Sequence, residues 1–239
     1  MSKKQFSRRS FVKSTALTGG VLLSSTFSLE AMANSSNNKK LKLVLVGCGG
    51  RGTGAAVQAL RADKDVELVA MADAFEDRLE SSLKAISEEL DGERNVKVKE
   101  KNRHVGFNSY QKVIDMADVV ILATPPGFRP LHFKYAIDND KHVFMEKPVA
   151  TDANGVRQVL ESAKVAKKKK LNVVVGLQRR YQNSYNSTLK LINNGEIGKI
   201  VSGQVYWNSA GVWVRKRVKG QTEMEYQMRN WYYFNWLCG

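Results

Sequence analysis

Cysteine is nearly absent from these 239 residues, with only Cys48 and Cys238 present. One lies in a glycine-rich stretch and the other is next to last, so no disulfide framework of the kind that staples small secreted folds is indicated. Histidine is almost as scarce. His104, His132 and His142 are dispersed and no Cys-x-x-Cys pair occurs, so no set of residues has structural metal-ligand spacing and no metal is expected. Long apolar runs are missing too. The most apolar stretch, Ala16 to Leu29, is broken by Ser, Thr and Gly and falls short of the ~20 residues a bilayer span needs, so no stable membrane span is expected. Acidic residues are the minority: 38 Lys and Arg face 23 Asp and Glu, a formal charge of +15. That balance raises nucleic acid as a partner. The cations are scattered, however, and their densest run, Lys167 to Lys170, closes a predicted helix, where positive charge complements the dipole and sits in water. Nucleic acid is therefore not expected.

What is present begins with an address. Ser7-Arg8-Arg9-Ser10-Phe11-Val12-Lys13 resembles the twin-arginine export signal, and the apolar stretch behind it leads to Ala31-Met32-Ala33, a small-x-small cleavage site. Residues 1–33 read as a cleaved signal for the twin-arginine export machinery, which puts the protein in the periplasm or otherwise outside the cytoplasm. Residues 34–39 read as a short polar linker. The whole chain is 43% hydrophobic, and its length is enough for one domain plus part of another.

The run Lys40 to Val46 is β-rich and leads directly into Gly47-Cys48-Gly49-Gly50-Arg51-Gly52, a G-x-G-x-x-G loop followed by a helix-compatible segment from Thr53 to Ala62. Gly47 permits a tight turn, Gly49 lets backbone approach a pyrophosphate, and Gly52 lets the helix pack closely on the strand. Phosphates would then sit on the free N–H groups of the helix start. A second strand, Val66 to Ala72, ends at Asp73, 21 residues beyond Gly52. An acid there accepts from the adenosine ribose hydroxyls and repels a 2′-phosphate, so NAD is expected over NADP. The plainer alternative is a strand-to-helix turn with Asp73 as an N-cap.

The alternation continues. Phe75 to Leu90 carries Leu79, Leu83, Ile86 and Leu90 on one helical face. Asp91 to Asn108 reads as loop, with Val96 and Val98 as a short edge strand at most. Ala117 to Ala123 is a buried strand stopped by Thr124-Pro125-Pro126-Gly127; Pro130 to Ile137 is helical, and His142 to Met145 is the next strand. Thr151 to Ala166 is predicted helical with Val156, Val159, Leu160 and Ala163 on one face and Thr151 or Asp152 as cap, and Leu171 to Val175 closes the sheet. The implied fold is α/β: a doubly wound parallel Rossmann sheet over residues 40–176, with ligands at the carboxyl ends of its strands.

The glycine loop, the Ala123-Thr124-Pro125-Pro126 run with His132 after it, and Lys141-His142-Val143 leading to Glu146-Lys147-Pro148 together resemble the glucose-fructose oxidoreductase and inositol dehydrogenase family (Gfo/Idh/MocA). The resemblance implies an NAD-dependent oxidoreductase. It makes Lys147 the catalytic residue, donating to the substrate oxygen as hydride leaves, and Glu146 a partner for the cofactor ribose that helps position Lys147. Pro148 becomes a candidate cis-proline. Gly47, Gly49, Gly50, Arg51, Gly52, Asp73, Thr124, Pro125 and Pro126 join Glu146 and Lys147 as cofactor-binding positions. His132 belongs with them unless it only packs or caps. Gly176 to Tyr181 resembles the segment returning to the nicotinamide, which adds Gln178 and Arg180.

Residues 177–239 are expected to be the truncated start of an α+β second domain with an open antiparallel sheet, as the resemblance implies. Ser187 to Asn193 reads as helix and Ile200 to Trp207 as its first strand, with Val201, Val205 and Trp207 on one side. Trp207, Trp213, Trp231 and Trp236 read either as sugar-stacking walls or as core of that sheet. The expected function is an exported oxidoreductase acting on a sugar or polyol-like alcohol by hydride transfer, with a tightly bound, recycled cofactor and, at full length, a homo-oligomeric state. Two alternatives stay open: a glycosidase working through transient oxidation and elimination on bound NAD, and a non-catalytic dinucleotide-binding remnant.

Overall fold

The computed structural model describes residues 40–91 and 95–239; the expected export signal and linker lie outside the described residues. The fold grows from the period-two alternation of β1 (Leu41–Val46). Leu43 and Leu45 point to one face of the sheet, where they join Leu68, Met71 and Ile121 against Ala56, Val57 and Leu60 of α1 (Gly50–Ala62) and Leu79, Leu83 and Ile86 of α2 (Glu76–Glu89). Val44 and Val46 point to the other, where Val120, Leu122, Val143 and Met145 meet α3 (Ser109–Asp115), α4 (Arg129–Asp138) and α5 (Ala153–Lys168). Each fully buried Leu, Ile or Val contributes ~1.5–3 kcal/mol, so a strand buried on both faces must be apolar where it is buried, as β1 is from Leu43 to Val46.

The other strands are β2 (Val66–Asp73), β3 (Arg103–Val105), β4 (Val119–Leu122), β5 (His142–Met145) and β6 (Val173–Val175). They form one sheet of six strands in the order β3-β2-β1-β4-β5-β6, and every pairing is parallel. β1 is flanked by β2 and β4, so the winding direction reverses between β1 and β4. That reversal opens a crevice at the strands' carboxyl ends. Thr53 Oγ1 and Ser82 Oγ, 2.7 Å apart, tie α1 to α2 beneath it.

Several expectations are corrected. The edge strand is Arg103–Val105, inside the segment read as loop, while Val96 makes only one parallel bridge to Leu68. On α5 the buried stripe is Gly155, Val159, Ser162 and Ala166, and Val156 and Leu160 face outward. Asp152 is the cap, accepting from Gly155 N at 2.7 Å. The apolar spacing of α5 allowed two adjacent stripes, and the small residues Gly155, Ser162 and Ala166 let α4 approach the second one. Lys169 does not serve its own helix. Its Nζ donates to Ile137 O and Asp138 O, at 2.9 and 3.1 Å, at the end of α4.

Beyond β6 come α6 (Gln178–Tyr181) and α7 (Asn183–Asn193), and then Ile200 to Trp207, which is not a strand. Val201, Val205 and Trp207 are 88%, 97% and 82% exposed. A strand exists only as a ladder, and among the described residues nothing pairs with this segment, so the expected antiparallel sheet is not formed there. The chain instead returns to the Rossmann sheet through α8 (Glu223–Arg229) and α9 (Asn235–Cys238). Among the described residues no helix is long and apolar enough to cross a membrane, and no group of three potential metal ligands occurs.

Candidate functional site

The crevice begins where β1 ends. Gly47 has φ of +97°, a left-handed conformation that favours glycine, and its N–H donates to Ala72 O at 2.8 Å. A Cβ on Gly52 would lie 2.0 Å from Gly47 O, so only glycine there lets α1 start directly beneath the turn. Gly49 is the N-cap and offers no side-chain cap, which leaves the first-turn N–H groups of α1 open to a ligand. A Cβ on Gly49 or Gly50 would meet no atom within 4 Å. The turn is therefore a cradle of bare backbone beside open space, and that space suits a pyrophosphate.

Asp73 closes β2 beside the cradle. Its carboxylate accepts from Cys48 N at 2.7 Å and from Phe75 N at 2.9 Å. Burial pushes the Asp73 carboxyl above its ordinary value, and these two hydrogen bonds together with Arg78 only partly offset it. Cys48 itself is buried, and burial together with Asp73 holds its thiol well above the usual range. It is a packed thiol, not a nucleophile.

The far wall follows β4. Thr124 Oγ1 lies 3.2 Å from His132 Nδ1, and the imidazole packs at a tilt of 32° against Tyr110 with centroids 4.2 Å apart. Burial, reinforced by Arg129, pushes His132 down to about 3, so it is neutral at physiological pH and available for packing and hydrogen bonding only. Arg129 is 1% exposed. Its Nη1 donates to Glu146 O and its Nη2 to Thr124 O, while its Nε has no partner. One guanidinium thereby joins the carboxyl ends of β4 and β5. Burial holds it down to about 10, against the pull of Glu146; it remains charged at neutral pH.

Glu146 is the residue after β5. It is 7% exposed, and its Oε1 accepts from Arg51 Nε at 2.7 Å. This pair ties the Glu-Lys-Pro turn to the glycine loop across the crevice. Lys147 follows, exposed, and the Lys147–Pro148 peptide is cis as expected.

A cleft of about 330 Å³ thus brings together Gly47, Gly49, Gly50, Arg51, Asp73, Thr124, Pro125 and His132. Gly52 packs beneath it, Pro126 is buried in the turn behind Pro125, and Glu146 reaches it through Arg51. Gln178 and Arg180 are not brought to it: they lie exposed on α6, where the chain leaves the sheet. Sequence reasoning missed Arg129, although an arginine between Phe128 and Pro130 at the start of an apolar helix was a usable signal. It also missed Phe107 and Tyr110 of the wall, and assigned Trp213 and Trp231, which line the cleft, to sugar stacking or a second core.

Residues 41–177 match the Gfo/Idh/MocA family, described as an oxidoreductase family with an NAD-binding Rossmann fold. The chain is 38% identical over 96 residues to an inositol 2-dehydrogenase of Burkholderia lata, covering 38% of this chain and 27% of that protein. It is 27% identical over 180 residues to a glucose-6-phosphate 3-dehydrogenase of Bacillus subtilis, covering 74% and 45%. Among solved structures, a myo-inositol 2-dehydrogenase from Lactobacillus plantarum superimposes with a TM-score of 0.54 at 30% identity, covering 68% of this chain and 44% of the other. The chain spans less than half the length of these relatives.

Proposed function

For a chain that belongs to the Gfo/Idh/MocA oxidoreductase family, with its NAD-binding Rossmann fold, we propose oxidation of a secondary alcohol on a sugar or polyol ring, with NAD taking the hydride. The observation that carries this reading is the 2.7 Å pair between Arg51 and Glu146. It holds the Glu-Lys-Pro turn to the edge of the dinucleotide cleft, so Lys147 stands at the carboxyl end of β5 beside that cleft. When bound, NAD supplies the hydride acceptor. Lys147 Nζ would hydrogen-bond the substrate oxygen and stabilise alkoxide character there, the hydroxyl proton leaving to solvent as the C–H hydride is given up. Glu146 and Arg129 hold the turn that carries the lysine. Inositol and sugar dehydrogenases among the relatives support a ring alcohol as substrate.

The experiment is cofactor titration of the purified chain. NAD is expected to bind more tightly than NADP because the Asp73 carboxyl, beside the cradle, can accept from ribose hydroxyls and offers no donor to a 2′-phosphate. Asp73→Ser narrows the preference by about 1–3 kcal/mol. Equal affinity of the unmodified chain for both cofactors would overturn the assignment.

The Arg8-Arg9 motif supports export by the twin-arginine route, which carries folded proteins. Free dinucleotide is scarce outside the cytoplasm, so a cofactor loaded before export is regenerated in the same site by a second sugar. N-terminal sequencing of the exported protein is expected to start at Asn34; an exported chain still bearing Met1 counts against cleavage.

A further inference from the structure

The return of the chain to the Rossmann sheet covers the cleft from outside. Trp213, Arg215 and Trp231 line it together with the glycine loop. Asn230, buried, holds the two limbs of this return together, accepting from Arg215 N at 2.7 Å and donating to Arg215 O at 3.1 Å. Its other end is seated on the turn after β4: a Cβ on Gly127 would lie 2.4 Å from Trp236 O, and Trp236 meets Phe128 edge to face at 6.2 Å. Leu237 is fully buried there. At the Asp73 end the attachment is Arg229. Its two terminal nitrogens make a bidentate pair with the Asp77 carboxylate, both contacts 2.9 Å, and its guanidinium stacks over the Phe75 ring at 4.1 Å.

The two attachments differ in kind. The Leu237 end is apolar packing. The Arg229 end is an ion pair whose acid is 60% exposed, and water competes with it. The segment therefore opens more readily at the Asp73 end, where the adenosine ribose is read. Two cations look into the cleft at that end, Arg78 from α2 and Arg215 from the returning segment. Burial and then the nearby Arg215 hold the Arg78 guanidinium below its ordinary value.

We infer that residues 212–237 form the outer wall of the dinucleotide site at its adenosine end, that the Arg229–Asp77 pair holds this wall closed, and that the cofactor leaves only when the pair opens. This rests on the NAD site proposed above and adds the control of cofactor retention by residues outside the Rossmann sheet.

The test is the release rate of NADH from the full 239-residue chain, followed by stopped-flow fluorescence after mixing with excess NAD. Asp77→Arg sets like charges against each other and is expected to speed release at least roughly tenfold; Arg229→Asp is expected to do the same. The double variant Asp77→Arg with Arg229→Asp restores the pair in reverse and is expected to return release to within about threefold of the unmodified chain. Asp77→Asn, a milder change at an exposed position, is expected to fall between. Unchanged release in Asp77→Arg, or a double variant as fast as either single one, overturns the inference while leaving the NAD site intact. An unmodified chain that binds no NADH overturns the NAD site itself, and this inference with it.

Discussion

Lys147→Met is expected to slow oxidation of the ring alcohol by ~10²–10³ while leaving NAD affinity within about threefold. The cradle of Gly47, Gly49 and Gly50, the Asp73 carboxylate and the Arg51–Glu146 pair all remain in place, so the ground-state complex with the dinucleotide keeps its contacts. Under the proposed reaction the lysine would act on the substrate oxygen as negative charge develops, so that its loss would be felt in the transition state. The measurement is kcat beside an independent NAD titration. A variant with normal kcat removes Lys147 from catalysis, and one that loses NAD binding in proportion to rate makes it a cofactor ligand instead.

Arg129→Leu is expected to lower the free energy of unfolding by roughly 3 kcal/mol. Glu146 O and Thr124 O each lose their guanidinium donor, and an acceptor left unpaired in a buried place costs about 1–3 kcal/mol. Removing a buried charge whose Nε has no partner returns part of the roughly 2–6 kcal/mol that the two losses make together, which leaves the estimate in the lower half of that range. In a domain of this size the melting temperature falls by about 6–12 °C. Arg129→Lys keeps the charge but not the planar fork that reaches both strand ends, so it recovers less than half of the loss. Urea or thermal unfolding decides it. A change below about 1 kcal/mol in Arg129→Leu would show that β4 and β5 hold their carboxyl ends without this clamp.

The Rossmann half was legible because its determinants are local. Alternation in Leu41–Val46 sets which side chains face α1 and which face α3. The left-handed turn at Gly47 needs a glycine wherever the sheet lies, and an acid ending β2 is visible as soon as β2 is. Lys147 and the cis peptide after it followed from the Glu-Lys-Pro resemblance, not from any periodicity. The α5 face was misread because two apolar stripes run side by side along that helix, and spacing cannot say which one a neighbour's shape will fit. The three-residue β3 was missed for a similar reason. A segment that short becomes a strand only through the ladder it makes with Met71 to Asp73.

What the sequence determined by itself was the α/β class, the glycine cradle and the acid that ends β2. All are set by backbone conformation or by residues within one βαβ unit. Only the tertiary structure decided that Arg129 spans two strand ends, that Arg51 reaches Glu146, and that Trp213, Arg215 and Arg229 come back over the cleft. These contacts join residues as far as 152 positions apart. No local preference encodes them, because their energy exists only once the sheet has brought its carboxyl ends together.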